Sequence, residues 1–132
     1  MRFVFLPIMA IFCFPPHPAR QPWIPFSMTK PGEVYKVDLG YGGKVRMMVV
    51  VSRYDMDAPR SLSLCVPITS VYRGSEYEVA LVSAPFLRVQ SYANVQGLQA
   101  IQDHELIGPI GMVYGSVFEG IKSALKFALD LE

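Results

Sequence analysis

Short stretches with a strand-like pattern of hydrophobic and polar residues recur along the chain from residue 33 to residue 102. Residues 33–39 alternate over seven positions, which predicts a strand with one buried face. Residues 47–51 are apolar without interruption and predict a strand that is buried on both faces. Three further stretches share the strand pattern and are separated by turn-forming residues: 61–69, 77–82 and 92–102, the last of which holds one or two strands. The pattern therefore predicts five or six short strands.

A proline interrupts the third of these stretches. Pro67 has no backbone N–H and cannot donate a ladder hydrogen bond. We therefore expect this end of the strand to lie at an edge of the sheet or at a bulge.

At the C-terminus the apolar period changes from strand-like to helical. One face of the predicted helix is apolar and comprises Phe118, Ile121, Leu125, Ala128 and Leu129. Ser116 followed by Glu119 has the spacing of a capping box, which predicts a helix over 116–131 with Ser116 as its N-cap. Short strands followed by one packing helix predict an all-β fold leaning to α+β, either a small barrel or a compact two-sheet sandwich.

Composition excludes several classes of protein. The 132 residues are 52% hydrophobic and 17% charged with a net charge of +1, which excludes a disordered chain and a strongly basic nucleic-acid module. Cys13 and Cys65 have no metal-ligand partner nearby, so neither a zinc site nor a disulfide framework is indicated. Nucleotide-binding glycine motifs and the nucleophile elbow of hydrolases are also missing, and we predict no metal and no cofactor.

The N-terminal segment differs from the rest of the chain. Residues 1–27 hold six of the eleven prolines and only two charges. The apolar run within them is interrupted by Pro7 and is too short to span a bilayer, which needs about 20 residues. We predict that Met28 is the physiological start, that 1–27 is an extension or a mis-called start, and that 28–132 is one domain. A cleaved export signal is the alternative, because the charged start and apolar run are signal-like.

Four segments in order carry a family resemblance. Residues 31–39 (PGEVYKVDL) are similar to the "GE-hydrophobic-W/Y-x-V-D-L" opening strand of the MazF/PemK (Kid) toxins. Residues 46–52 (RMMVVVS) resemble that family's "RPVLVVS" strand, and 66–70 match its "VPITS". Residues 91–106 occupy the place of "SYVLADQIRTVDKSRL". With the terminal helix, the chain resembles this family over about 31–131.

The resemblance implies a fold and an activity. It implies an SH3-like small barrel of the MazF/PemK/CcdB type with a C-terminal helix, usually as a homodimer. It also implies a cytoplasmic, metal-independent endoribonuclease that cuts single-stranded RNA, commonly mRNA, and is silenced by a cognate antitoxin. Operator DNA would be bound only through the antitoxin complex, and no membrane is involved. RNA cleavage can use the substrate's own 2′-hydroxyl as nucleophile, so an enzyme of this kind needs only to position the phosphodiester, stabilise the charge on its oxygens and help to move protons.

Two residues match the family's catalytic positions. Arg46 matches the catalytic arginine, and a guanidinium offers planar paired donors to phosphate oxygens. Its structural alternative is an exposed strand arginine that pairs with a carboxylate. Thr69 matches the threonine of "PIT", whose hydroxyl can bind the scissile phosphate or relay a proton. Its alternative is an ordinary β-branched residue at a strand end.

Four further residues are predicted to bind substrate: Lys44, Ser70, Asn94 and Gln96. Gln96 replaces the acid of the family's "ADQ" segment, and Asn94 replaces the arginine before it. Glutamine cannot shuttle a proton at neutral pH, so the general base and general acid are unassigned. The chain thus follows the arginine–threonine branch, uses another group, or is catalytically impaired.

The replaced acid leaves a second function open. A catalytically impaired SH3-like barrel would act as a nucleic-acid or protein binding module. Tyr41, Tyr54 and Tyr72 lie in predicted loops or strand ends, where they either stack unpaired bases or cap the barrel. A secreted barrel protein that uses residues 1–27 as its signal is a third interpretation.

Overall fold

The computed structural model describes residues 29–40, 44–82 and 84–132. The predicted extension over 1–27, the start at Met28 and the turn residue Tyr41 lie outside these ranges.

The described residues form seven strands, one α-helix and two short 3-10 helices. The strands and helix are β1 (Glu33–Asp38), β2 (Val45–Val50), β3 (Leu62–Thr69), β4 (Glu78–Ala80), β5 (Tyr92–Asn94), β6 (Gln99–Gln102), β7 (Leu106–Met112) and α1 (Gly115–Ala128). The 3-10 helices are η1 (Val95–Gly97), between β5 and β6, and η2 (Asp103–Glu105), between β6 and β7.

The strands pair antiparallel in the order β4-β5-β3-β2-β1-β7, and β6 also pairs with β3. β3 is the central strand. Along one edge it pairs with β2, and along the other it pairs with β6 over Leu62–Cys65 and then with β5 over Ile68–Thr69. No pairing between β4 and β7 closes the sheet within the described residues. A β-rich, barrel-like fold with a C-terminal helix was predicted, and that prediction is confirmed.

The expectation for Pro67 is wrong. It lies inside the central strand, where it faces Met48 on β2. On its other edge, β3 changes partner from β6 to β5 between Cys65 and Ile68. A residue without an N–H is tolerated there because no ladder partner faces it on that side.

Strand β7 was missed, so the predicted count of five or six strands is low by at least one. Gly108, Pro109 and Gly111 interrupt its apolar pattern, and such residues ordinarily signal turns. The strand nevertheless pairs with β1, with a register shift between Val34 and Lys36. Tertiary pairing overrides the local turn signals here.

Alternation of side chains gives the sheet two apolar faces. The face toward α1 holds the larger cluster, whose members include Val34, Val49, Val66, Ile68, Ala93 and Ile121. The opposite face holds a smaller cluster of Tyr35, Val37, Met48, Val50, Cys65 and Ile101. The smaller cluster covers only one end of its face, and the other end of that face stays open.

The helix begins one residue earlier than predicted. It spans Gly115–Ala128, its N-cap is Tyr114, and no side chain caps it, so the predicted capping box at Ser116 does not form. Ser116 already lies within the first turn, where its hydroxyl cannot take the N-cap position. Ile121 is buried as expected, whereas Leu129 lies beyond the helix and is 52% exposed. None of the helices in the described ranges is long and apolar enough to cross a membrane.

Candidate active site

The register of four neighbouring strands brings polar residues onto the open end of one sheet face. Thr69 on β3 faces Tyr92 on β5, and the β2–β3 register, continued by two residues, places Arg46 opposite Thr69. Two residues further along β5, Asn94 faces Glu78 on β4. Residues that face each other in an antiparallel pair project to the same side of the sheet. Residues far apart in sequence therefore share one surface.

A groove of about 280 Å³ lies on this surface. Four of the six residues predicted for the site line it, namely Arg46, Thr69, Asn94 and Gln96. The other two, Lys44 and Ser70, do not line it. Lys44 is exposed immediately before β2, and Ser70 is exposed immediately after Thr69. The structure thus brings the arginine, the threonine and the two amides together and leaves the lysine and the serine outside.

The Arg46 side chain is exposed and makes no ion pair with a carboxylate of the described residues. Its structural alternative, a strand arginine neutralised by a partner, is not found in that part of the chain. With respect to the described residues, the guanidinium therefore has its donors available for an anionic ligand. The groove also receives Arg73 from the loop that follows β3.

The side chains of Thr69 and Asn94 are each oriented by a hydrogen bond from the backbone N–H two residues further along the chain. The Thr69 Oγ1 accepts a hydrogen bond from the Val71 N–H at 3.1 Å, and the Asn94 Oδ1 accepts one from the Gln96 N–H, also at 3.1 Å. These bonds use an acceptor lone pair on each side chain and leave the hydroxyl proton and the amide N–H groups to donate. The groove consequently presents donors, the chemistry that binds phosphate oxygens.

Glu78 lines the same groove and was not predicted from the sequence. Its carboxylate accepts hydrogen bonds from the Arg73 N–H at 3.0 Å, from the Ser75 N–H at 2.9 Å and from the Ser75 hydroxyl at 2.9 Å. These bonds stabilise the charged form, so they lower the pKa of Glu78, with the Ser75 backbone bond as the largest cause. The Ser-x-x-Glu spacing of Ser75 and Glu78 is the signal that could have found this interaction.

We expect Glu78→Gln to loosen the loop between β3 and β4 and to change the pH dependence of stability. The folded-state pKa lies below the ordinary value of 4.5, so the contribution of Glu78 is fully present above that value. It is lost as the pH falls through the lowered pKa. Thermal unfolding between pH 7 and pH 3 should therefore show a loss of stability in the parent that is smaller in the variant. Glu76→Gln, on the same loop, is the matched control, and identical profiles for Glu78→Gln and the parent would contradict this role.

The described thiol and histidine lie outside the groove. Cys65 is buried within the smaller core cluster, and burial, followed by the charge of Asp103, raises its pKa to about 12. A thiol in this state is a poor nucleophile. His104 is exposed in η2, where its Nε2 lies 2.5 Å from the Gln102 Oε1. Over the described ranges, no group of three or more metal-ligating side chains is present.

Comparisons with solved structures agree with this fold. An endoribonuclease from a mycobacterial species in complex with its cognate antitoxin is 26% identical, with a TM-score of 0.70 over 79% of this chain and 97% of that one. Another mycobacterial endoribonuclease is 25% identical, with a TM-score of 0.67 over 79% and 93% of the two chains. A MazE–MazF complex from Deinococcus radiodurans shares the fold at 18% identity, with a TM-score of 0.65 over 80% and 98%.

Family membership follows from the sequence itself. A comparison with curated proteins finds no significant match. The family model for the PemK-like, MazF-like toxins of type II toxin-antitoxin systems matches residues 30–129, which is most of the chain. The match covers the four segments on which the resemblance was based, so that prediction is confirmed. The chain belongs to the PemK-like, MazF-like toxin family of type II toxin-antitoxin systems.

Proposed function

We propose that this protein is a cytoplasmic, metal-independent endoribonuclease toxin that cleaves single-stranded RNA, including mRNA. The observation that carries the proposal is the groove in which the Arg46 guanidinium, which has no ion-pair partner among the described residues, lies beside the oriented hydroxyl of Thr69. Membership of the toxin family and the endoribonuclease activity of two relatives support it. The toxin domain comprises residues 28–132.

The reaction uses the 2′-hydroxyl of the RNA as nucleophile. A bond forms between the 2′-oxygen and the adjacent phosphorus as the 2′-hydroxyl loses its proton, and the bond from phosphorus to the 5′-oxygen breaks as that oxygen gains a proton. The products therefore end in a 2′,3′-cyclic phosphate and a 5′-hydroxyl. Arg46 donates to the non-bridging oxygens, on which negative charge increases in the transition state. Thr69 donates a further hydrogen bond to the same phosphate, and the amides of Asn94 and Gln96 hold the flanking nucleotide.

We assign Glu78 to positioning and not to proton transfer. The hydrogen bonds from the loop engage its carboxylate and lower its pKa, which makes it a weak base near neutral pH. The carboxylate instead holds the loop that carries Arg73 at the groove.

The proposed partners follow from the same surface. A cognate antitoxin would inhibit the toxin by laying an acidic segment across the groove, where it would contact Arg46 and Arg73. One mycobacterial relative is known in complex with its cognate antitoxin. We also propose a homodimer, and contact with operator DNA only through the antitoxin complex.

A second candidate function is a binding module without catalysis. The observation that favours it is the makeup of the groove, in which Gln96 stands where one branch of the family has an acid. Among the described groove residues the only carboxylate, Glu78, is already hydrogen-bonded. Such a groove would bind RNA phosphates and leave the strand intact.

An RNA substrate that lacks one 2′-hydroxyl distinguishes the endoribonuclease from the binding module. Cleavage sites are first mapped on a long unstructured RNA, and the nucleotide before one cut is then replaced by its 2′-deoxy form. The proposed mechanism predicts that this cut disappears while other cuts persist. Continued cutting at the 2′-deoxy position would contradict 2′-hydroxyl attack, and RNA that stays intact but bound would favour the module.

A further inference from the structure

Two tyrosine rings stack beside the groove. The rings of Tyr72 and Tyr92 have centroids 4.6 Å apart and an angle of 20° between their planes. Tyr92 faces Thr69 across the β3–β5 pair, so its side chain starts about 5 Å from that of the threonine and on the same side of the sheet. Tyr72 lies in the chain between Val71 and Arg73, both of which line the groove.

Only one ring of the pair is well covered. Tyr92 is partly buried, whereas Tyr72 is 59% exposed. One face of the Tyr72 ring rests on Tyr92, and with this exposure the opposite face is open to solvent. A tyrosine that served only to cap the barrel would bury its ring against the core. Tyr72 therefore presents a flat, rigid aromatic surface next to the groove.

The stacked pair of Tyr72 and Tyr92, which we call the platform, is held in place before any ligand binds. The residue that follows Tyr72 in sequence, Arg73, donates its backbone N–H to the Glu78 carboxylate. Tyr92 belongs to β5, which is paired on both edges, with β3 and with β4. A ring that is already oriented loses little conformational entropy on binding.

We propose that Tyr72, supported by Tyr92, is the stacking site for one unpaired base of the RNA strand whose phosphate occupies the groove. This inference rests on the proposed endoribonuclease function and adds a base subsite to it. Every base has a π-face, so stacking contributes affinity without selecting strongly among bases. It also requires the base to be unpaired, which gives a physical reason for preferring single-stranded over duplex RNA.

The test uses the full-length protein and a fluorescent base analogue. Cleavage sites are mapped with the parent protein, and oligonucleotides are made with 2-aminopurine at successive positions around one site and a 2′-deoxy nucleotide at the cut. The parent should quench the fluorescence at one position only. Tyr72→Ala should abolish that quenching and weaken binding about tenfold or more, whereas Tyr72→Phe should keep both. On cleavable RNA, the change in Tyr72→Ala should fall mainly on KM.

Two further variants keep the result interpretable. Tyr72→Leu still covers Tyr92 with an apolar side chain but has no aromatic face, so it should lose the quenching and bind about tenfold more weakly than the parent. This variant decides the question if Tyr72→Ala fails to fold. Tyr114→Ala removes an exposed tyrosine at the start of α1 and should bind RNA like the parent.

The failures of the two proposals are distinguishable. If the parent cleaves RNA and Tyr72→Leu matches it in quenching and affinity, the stacking site is overturned and the endoribonuclease function stands. If Tyr72→Leu weakens binding of a protein antitoxin but leaves RNA binding unchanged, the platform belongs to the protein partner and the inference is also overturned. A folded parent that leaves RNA uncut would instead refute the proposed function.

Discussion

Replacement of Arg46 by alanine is expected to lower the rate of RNA cleavage by at least about a hundredfold and to leave the fold unchanged. Removal of a single preorganised donor from a transition-state oxyanion typically has an effect of this size. The side chain is exposed and makes no ion pair among the described residues, so its loss leaves no buried group unsatisfied. Cleavage rates are measured at saturating RNA, and circular dichroism and thermal unfolding check the fold.

Two matched variants define what Arg46 contributes. Arg46→Lys keeps the charge but loses the planar pair of donors, and we expect activity between that of the parent and that of the alanine variant. Arg60→Ala removes an exposed arginine from the loop before β3 and should retain the parent rate. A full rate in Arg46→Ala would refute the mechanism proposed for this groove.

The largest effect on stability is expected at Gly32. This residue has φ +96°, its N–H donates to the Val50 carbonyl at 2.8 Å, and its carbonyl accepts from the Val113 N–H at 2.7 Å. A Cβ at this position would collide with the Val113 carbonyl oxygen. Because this oxygen belongs to the backbone, no side-chain rotation can relieve the collision. We expect Gly32→Ala to lower the free energy of unfolding by about 2–5 kcal/mol, from the backbone strain and the collision together.

Gly40→Ala is the matched control for this prediction. Gly40 also has a positive φ, +76°, but a Cβ there meets nothing within 4 Å among the described residues. Its substitution should cost only the conformational strain, about 1–2 kcal/mol. Denaturant unfolding of the two variants therefore separates the collision from the strain, and equal losses of stability would contradict the close approach of Gly32 to Val113.

The sequence predicted the central strands well because burial there follows the side-chain alternation. Residues 33–39 and 61–69 were predicted as strands, and the structure has Glu33–Asp38 and Leu62–Thr69. Strand β7 was not predicted, since Gly108 and Pro109 interrupt its pattern and only the pairing with β1 makes it a strand. The start of α1 was misplaced because a capping-box spacing does not establish that the serine occupies the N-cap.

The site was predictable in part, and for different reasons at each residue. Arg46 and Thr69 came from motif resemblance, because their proximity arises from the β2–β3 register, which cannot be derived from either segment alone. The contribution of Glu78 depends on a loop conformation that brings the backbone N–H groups of Arg73 and Ser75 to one carboxylate. Lys44 and Ser70 matched the expected chemistry, but neither lines the groove.

Analysis of RNA fragment ends in the presence of EDTA tests the central claim most directly. The purified protein is incubated with a long unstructured RNA and excess chelator, beside the Arg46→Ala variant, and the new termini are characterised chemically. Our account predicts discrete cuts that end in 2′,3′-cyclic phosphate and 5′-hydroxyl and that are lost in the variant. Cuts that require a divalent metal, or intact RNA with a correctly folded protein, would contradict it.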